Sequence, residues 1–244
     1  MIFDFQYVAA SLKVAVKYIP TTLVLSVLPL LIGIVVGTLI AVCRRFRVRI
    51  VAKLADILIP VIKGIPLVLH LFIMNFLILK PLDFLAKWYG WADALRFMDK
   101  TYIGIVAISI YAVVVISETM RSALLSVDDG QYEAGYSVGL TRWQTLRRVV
   151  LPQAFPFAVP VLCNNFIGLI KGSSIVYLIT VVDVMNGALT SAQINYRFLE
   201  AYIAAAIIYW VMCLAVERVS VMLEKHLKKY QYRVQENNLR REVL

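Results

Sequence analysis

The sequence has few charged residues for its length. Only 16% of its 244 residues are charged, whereas 61% are hydrophobic and the mean hydropathy is +0.79. A soluble domain holds about a quarter charged residues and about half apolar ones. The composition therefore excludes an ordinary soluble domain and predicts a protein that lies in lipid.

The chain also lacks the short motifs of several common enzyme classes. It contains no Gly-x-x-x-x-Gly-Lys-Ser/Thr phosphate loop, no His-Glu-x-x-His run and no glycine fingerprint of a dinucleotide site. Without a phosphate loop the chain cannot bind ATP in that manner, so energy would have to come from a partner. We expect no catalysis by this chain, no metal site and no cofactor.

Cysteine is scarce, and no cleavable leader is expected. Cys43, Cys163 and Cys213 lie in or beside apolar stretches without metal-ligand spacing, which is typical of small buried hydrophobes. The N-terminus carries an acid early and has no basic segment before an apolar core, so we expect it to be retained. Residues 1–20 are predicted to form an interfacial amphipathic segment.

Five apolar stretches are long enough to cross a membrane, which takes about 20 residues of helix. A shorter apolar piece, Ile175 to Val184, is predicted to form a re-entrant or interfacial helix. The five predicted spans run from Thr21 to Cys43, Leu54 to Leu79, Tyr102 to Val127, Pro152 to Ile170 and Leu199 to Met222. These spans predict an all-α, polytopic membrane domain over residues 21–222, followed by a basic cytoplasmic tail over residues 223–244.

The positive charge is distributed in a way that predicts orientation. The net charge is +10, but the basic residues cluster beside the apolar stretches rather than on a nucleic-acid-binding face. Three basic regions, at residues 44–53, 142–148 and 218–241, fall on one side if the N-terminus is outside and the C-terminus inside. Cytoplasmic loops carry the excess of Lys and Arg, so we predict this N-out, C-in topology.

The most informative segment is the polar loop between the third and fourth predicted spans, hereafter the 128–150 loop. Asp128 with Gln131, and Thr141 with Gln144, have the spacing of capping boxes at helix starts. Gly139 lies where the first short helix would end in a left-handed conformation. The spacing predicts a compact helix–turn–helix between the spans, and an ordinary amphipathic connector is the alternative.

This loop resembles the EAA loop, the cytoplasmic docking element of membrane subunits in ATP-driven ABC importers. The shared pattern is Glu133-Ala134, Gly139, Val149 and Leu151-Pro152 at the family's spacing, with Gly135 for the second Ala and Val149 for Ile. The resemblance implies that the loop couples the membrane domain to an ATPase. It assigns that role to Gln131, Glu133, Ala134, Gly139, Leu140, Thr141 and Arg142.

The rest of the chain is similar to the polar amino acid permeases of these importers. The matching positions are Glu118 with Arg121, Asn164-Asn165-Phe166 and residues 171–174. The sequence departs from the subfamily at two places. Residues 63–66 read Lys-Gly-Ile-Pro where the subfamily has Arg-Gly-Thr-Pro, and Gly172 replaces an Asp. The resemblance implies the five-helix type I importer permease fold in a bacterial inner membrane. It also implies several partners: a second permease subunit, cytoplasmic ABC ATPase subunits, an extracytoplasmic binding protein and an amino acid substrate.

Polar residues inside the predicted spans are candidates for the substrate pathway. Glu118 in the third span contacts substrate or a gate, or else forms an ion pair with Arg121 or with a basic residue on another span such as Lys63. Lys63 lies where Gly64 and Pro66 should open the second helix toward a cavity, with a structural ion pair as the alternative. The remaining candidates, for which helix–helix hydrogen bonding is the alternative, are Asn164, Asn165, Ser173 and Ser174.

Two other functions fit the sequence less well. A stand-alone channel or proton-coupled carrier would use Glu118 as its titrating group and would transport without a partner. A non-transporting scaffold would recruit cytoplasmic proteins through its basic tail. The sequence favours the ATP-driven permease because only that function explains the 128–150 loop.

Overall fold

The structure, a computed structural model, describes the backbone of residues 3–90 and 99–242 and the side chains of residues 3–90 and 99–227. Every regular element in these ranges is helical. The α-helices are α1 (Phe5–Ala15), α2 (Ile19–Ile32), α3 (Thr38–Arg45), α4 (Arg49–Gly64), α5 (Leu67–Tyr89), α6 (Thr101–Leu125), α7 (Gly130–Ser137), α8 (Arg142–Thr145), α9 (Leu151–Ser173), α10 (Val184–Asn195) and α11 (Phe198–Glu242).

Within the described residues five helical segments are long and apolar enough to cross a membrane. The prediction of five spans is therefore confirmed. They are Phe5–Arg45, Leu67–Tyr89, Thr101–Leu125, Arg142–Ile179 and Phe198–Leu227, hereafter the first to fifth spans. The third span is central, since 61% of its most apolar 18-residue stretch is buried inside the chain. The corresponding share is 11–33% for the other spans.

The first span is longer than the sequence predicted. Its helix begins at Phe5, where the Asp4 carboxylate accepts from the Gln6 amide at 2.8 Å, and continues through a short 3₁₀ turn and a π turn to Arg45. The buried residues of α1, Val8, Ser11 and Ala15, lie on the face that packs against α10 and α11. The placement of residues 1–20 at a membrane interface stays a prediction.

The second predicted span is divided in two. Residues 54–79 were expected to form one helix with a possible opening near Pro66, but α4 ends at Gly64 and α5 begins at Leu67. Ile65 is extended (φ −87°, ψ 124°), because a proline ring disfavours the helical conformation of the residue before it. Only α5 is long enough to be a span, and the break leaves the start of α5 facing the bundle.

Close glycine packing joins the first span to the third. A Cβ on Gly37 would lie 2.9 Å from the Ser117 amide nitrogen and 3.0 Å from the Val113 carbonyl oxygen. A Cβ on Gly33 would lie 2.5 Å from the Ile116 side chain. The Gly33-x-x-x-Gly37 pair therefore lets two helix backbones approach closely.

A leucine at position 37 should destabilise the folded bundle because backbone atoms of the third span cannot move aside. Overpacking of this kind costs about 1–3 kcal/mol. We expect Gly37→Leu to lower the melting midpoint of the purified chain in detergent. Gly64→Leu is the control, since a Cβ on Gly64 meets nothing within 4 Å; equal melting midpoints for the two variants would contradict the packing argument.

The connection between the fourth and fifth spans differs from its prediction. Residues 175–184 were expected to form the short helix, but a 3₁₀ turn occupies Ser174–Ile179 and the helix α10 follows at Val184–Asn195. The chain turns at Thr180, which is left-handed (φ 69°), and restarts where the Asp183 carboxylate accepts from the Asn186 amide at 2.9 Å. The capping acid, not the apolar run, sets the helix start.

Asp183 also fastens this connection to the fifth span. It is fully buried, and its second oxygen accepts from the Tyr209 hydroxyl at 2.8 Å. Burial raises the pKa of the Asp183 carboxyl above its usual range, while the hydrogen bonds from Asn186 and Tyr209 oppose that shift.

Candidate functional site

The 128–150 loop forms a helix–turn–helix at one end of the bundle, with α7 and α8 as its helices. The predicted capping box of Asp128 and Gln131 is wrong. The Asp128 carboxylate instead accepts from the backbone amide of Gly130 at 2.7 Å. The Gln131 side chain accepts from the side-chain amide of Gln153 at 3.0 Å. A short Asp side chain readily binds the backbone two residues on, and that local turn replaces the cap.

The second half of the loop follows the prediction. Gly139 has φ +80°, and the Leu140 amide donates to the Gly135 carbonyl at 3.1 Å. Thr141 and Gln144 form the expected capping box, with side-chain-to-amide distances of 3.3 and 2.9 Å. The turn and the start of α8 are thus fixed by residues that the sequence singled out.

The loop has a packed inner face and an open outer face. Gly135 and Thr145 are buried, and a Cβ on Gly135 would lie 2.5 Å from the Thr145 methyl group. Sequence reasoning treated Gly135 as a departure from the motif and missed that α7 and α8 meet there. Outside, Val138 is 76% exposed and Trp143 is 58% exposed. Large apolar side chains exposed on a polar loop are typical of a protein contact site.

The predicted coupling residues lie on or beside this outer face. Glu133, Ala134, Gly139, Thr141 and Arg142 are exposed, whereas Gln131 and Leu140 are half-buried. Five of the seven predicted residues are therefore accessible to another protein.

Two arginines that the sequence analysis counted only as positive charge hold the inner face. The Arg45 guanidinium lies 4.7 Å from the ring centroid of Tyr132 in α7 and forms an ion pair with Asp129. Arg44 forms ion pairs with Glu118 of the third span and with Asp56 of α4, the latter at 2.9 Å. No spacing signal identifies these partners, because they come from distant parts of the chain.

Glu118 forms its main ion pair with a basic residue of another span, as one predicted alternative had it, but that residue is Arg44 and not Lys63. Its carboxylate binds Arg44, and Arg121 lies 3.9 Å away on the next turn. Lys63 is exposed at the end of α4 and forms no ion pair within the described residues.

A small cavity of about 140 Å³ lies where α5, α6 and α9 meet. We call it the asparagine cavity. Its lining includes Leu67, Tyr111, Asn164, Asn165 and Gly168. Asn164 also lines a larger cavity of about 590 Å³ between α9 and α11, together with Lys171 and Glu217.

The predicted pathway residues reach the asparagine cavity only in part. The Asn165 side chain lines it and donates to the Thr119 hydroxyl at 2.8 Å. Ser173 and Ser174 instead donate to the Ile170 and Lys171 carbonyls of their own helix. Gly168 lies four residues before Gly172, a Gly-x-x-x-Gly spacing that is typical of close helix packing. A Cβ on Gly168 nevertheless meets nothing within 4 Å, so this glycine leaves open space.

Comparison with known proteins gives consistent matches over most of the chain. The family model of the binding-protein-dependent transport system inner membrane component matches residues 33–229. The probable amino-acid ABC transporter permease protein PatM of Vibrio harveyi is 31% identical over 93% of this chain and 97% of its own length. The glutamine transport system permease protein GlnP of Escherichia coli is 32% identical over 93% of this chain and 99% of its own length.

A solved structure has the same fold. It is described as the crystal structure of an amino acid ABC transporter with histidines, and one of its chains superposes with a TM-score of 0.77 at 29% identity. The match covers 93% of this chain and all of that chain.

Proposed function

Because the family model spans well over half of its length, the chain belongs to the family of binding-protein-dependent transport system inner membrane components, and we propose that it imports a polar amino acid. It is a multi-pass permease subunit of an ATP-driven ABC importer in the bacterial inner membrane. Hydrolysis of ATP takes place on a separate ATPase subunit. The substrate class, the orientation, the second permease and the binding protein are our proposals.

The outer face of the 128–150 loop is the proposed ATPase contact. Gly139 and the capped start of α8 hold a rigid turn there, and Val138 and Trp143 offer apolar area. Exposed Glu133 and Arg142 supply charged contacts. The basic regions beside this loop support the cytoplasmic placement of this end, and with it the N-out, C-in orientation.

The asparagine cavity is the proposed point of passage for the substrate. The amides of Asn164 and Asn165 and the hydroxyl of Tyr111 can donate to a carboxylate or accept from an ammonium group. The names of the relatives support an amino acid as the cargo. An extracytoplasmic binding protein would deliver it to the opposite end of the bundle from the 128–150 loop.

A second permease subunit, identical or homologous, is proposed to cover this region. Asn164 is exposed in the single chain although it lies within the fourth span. A polar amide facing lipid is costly, so it should face a partner or water. A partner placed against α9 would enclose the asparagine cavity between two chains.

The single observation that carries the proposal is the exposed turn at Gly139, which is held by the buried contact between Gly135 and Thr145. A proton-coupled carrier would need an intramembrane carboxylate without a fixed cationic partner, whereas the Glu118 carboxylate forms an ion pair with Arg44. The comparisons do not favour that alternative.

Reconstitution of the chain into liposomes tests the proposed function. We expect no amino acid uptake by the chain alone, and ATP-dependent uptake once its ATPase and binding protein are added. A screen of amino acids for stimulated ATP hydrolysis would identify the substrate. Uptake by the chain alone under a proton gradient would overturn the proposal.

A further inference from the structure

Arg44 and Arg45, the last two residues of the first span, bind different parts of the bundle. Adjacent helical residues point about 100° apart, so the two side chains cannot share one partner easily. Arg45 reaches α7 of the 128–150 loop, and Arg44 reaches the third span and α4. We call these two residues the arginine pair.

The contact of Arg45 with α7 is made mainly with Tyr132. The guanidinium carbon lies 4.7 Å from the ring centroid, and Nε donates to the Tyr132 hydroxyl at 3.4 Å. Tyr132 is only 6% exposed, so this cation–π contact is partly desolvated and stronger than a surface contact. Asp129 also binds Arg45, but its side chain is 77% exposed and solvent screens that ion pair.

Arg44 likewise has one partner that is more buried and one that is more exposed. Its side chain is 12% exposed, that of Glu118 is 28% exposed and that of Asp56 is 65% exposed. The Glu118 contact is therefore the stronger of the two, because removing one member would leave a charge in a partly desolvated place. The arginine pair thus has two main partners, Tyr132 in the loop and Glu118 in the third span.

The position of this pair in the chain gives it mechanical importance. The 128–150 loop is joined covalently to the third and fourth spans, but Arg45 and Tyr132 are 87 residues apart in sequence. Motion of the loop reaches the third and fourth spans through the backbone. The direct contacts between the loop and the end of the first span are made by side chains. Of the Arg45 contacts with the loop, the one with Tyr132 is buried.

We propose that the arginine pair transmits movement of the 128–150 loop to the first span and locks the first span to the third. The proposal rests on the proposed function, in which an ATPase moves this loop. Arg44, Arg45, Tyr132 and Glu118 are positioning residues in this scheme, because each acts through its contact with another residue of the chain. Substitution of these residues should leave docking of the ATPase intact, but substrate should no longer stimulate ATP hydrolysis fully.

The first test removes the loop contact in the complete importer. We expect Arg45→Gln to retain ATPase subunits on co-purification, while stimulation of ATP hydrolysis by the substrate-loaded binding protein falls about tenfold, a typical coupling effect. Tyr132→Leu should behave in the same way, whereas Tyr132→Phe keeps the ring and should stay close to wild type. Arg49→Gln is the control, since Arg49 is exposed nearby and forms no ion pair within the described residues.

The second test asks whether Arg44 and Glu118 act as one unit. We expect Arg44→Gln, Glu118→Gln and the double variant to lose similar amounts of substrate-stimulated ATP hydrolysis. The effects of two substitutions that remove the same contact do not add. Additive losses, or unchanged stimulation in Arg45→Gln, would overturn the proposal while leaving the importer function standing. Failure of the unmodified chain to bind an ATPase would refute the proposed function itself, and this inference with it.

Discussion

Valine in place of Gly139 should abolish the coupling of ATP hydrolysis to transport while leaving the chain inserted in the membrane. Gly139 has φ +80°, a conformation that costs an L-residue about 1–2 kcal/mol and a β-branched one more. A Cβ at this position would meet nothing within 4 Å, so the variant tests backbone conformation alone. We expect the turn to change shape and ATPase binding to fall about tenfold or more, since about 1.4 kcal/mol carries that factor.

The chain offers a matched control for this experiment. Gly90 has φ +76°, also has nothing within 4 Å of its Cβ position, and ends α5 at the opposite end of the bundle from the 128–150 loop. Gly90→Val therefore carries the same backbone strain without touching the loop. Co-purification of the ATPase, basal ATP hydrolysis and uptake should be measured for both variants. Full uptake by Gly139→Val, or an equal loss in both variants, would contradict a docking role for this turn.

Features that depend on neighbouring residues were predictable from the sequence. Long apolar runs become helices in lipid because no water is present to satisfy a free backbone, and the third and fifth spans lie close to their predicted bounds. Gly139 and the Thr141–Gln144 capping box were also predictable, since each acts on the backbone within a few residues. Pro66 indicated an opening, and the helix does break before it.

Features that depend on long-range packing were not predictable. The partners of Arg44 and Arg45 lie between 12 and 87 residues away, and any of several acids near the same membrane face fits the charge. Asp183 was not identified from the sequence, because it lies inside the apolar piece that was predicted to form a short helix. Its importance arises from Tyr209, which reaches it from the fifth span. Two glycines show the same limit: Gly37 meets a backbone and Gly168 meets open space, although both sit in a Gly-x-x-x-Gly pattern.

The asparagine cavity makes the second large prediction possible, because its depth in the fourth span separates it from the loop. Val150 and Gly168 are 18 positions apart in the sequence, which is about 27 Å of helix at 1.5 Å per residue. A change at Gly168 can therefore affect substrate passage without altering the docking surface. The test is a size series at this position, Gly168→Ala and Gly168→Leu.

Gly168→Leu should reduce uptake about tenfold or more, a loss that corresponds to about 1.4 kcal/mol. The side chain would project into the asparagine cavity and occupy space through which we propose that the amino acid passes. Loss of folding is not the expected cause, since alanine and leucine both favour a helix interior over glycine, by about 0.5–1 kcal/mol. Gly168→Ala adds one methyl group in open space and should transport nearly as well as wild type, and both variants should retain the ATPase. If Gly168→Leu transports normally, the substrate does not pass the asparagine amides, and the larger cavity beside Lys171 and Glu217 becomes the pathway to test.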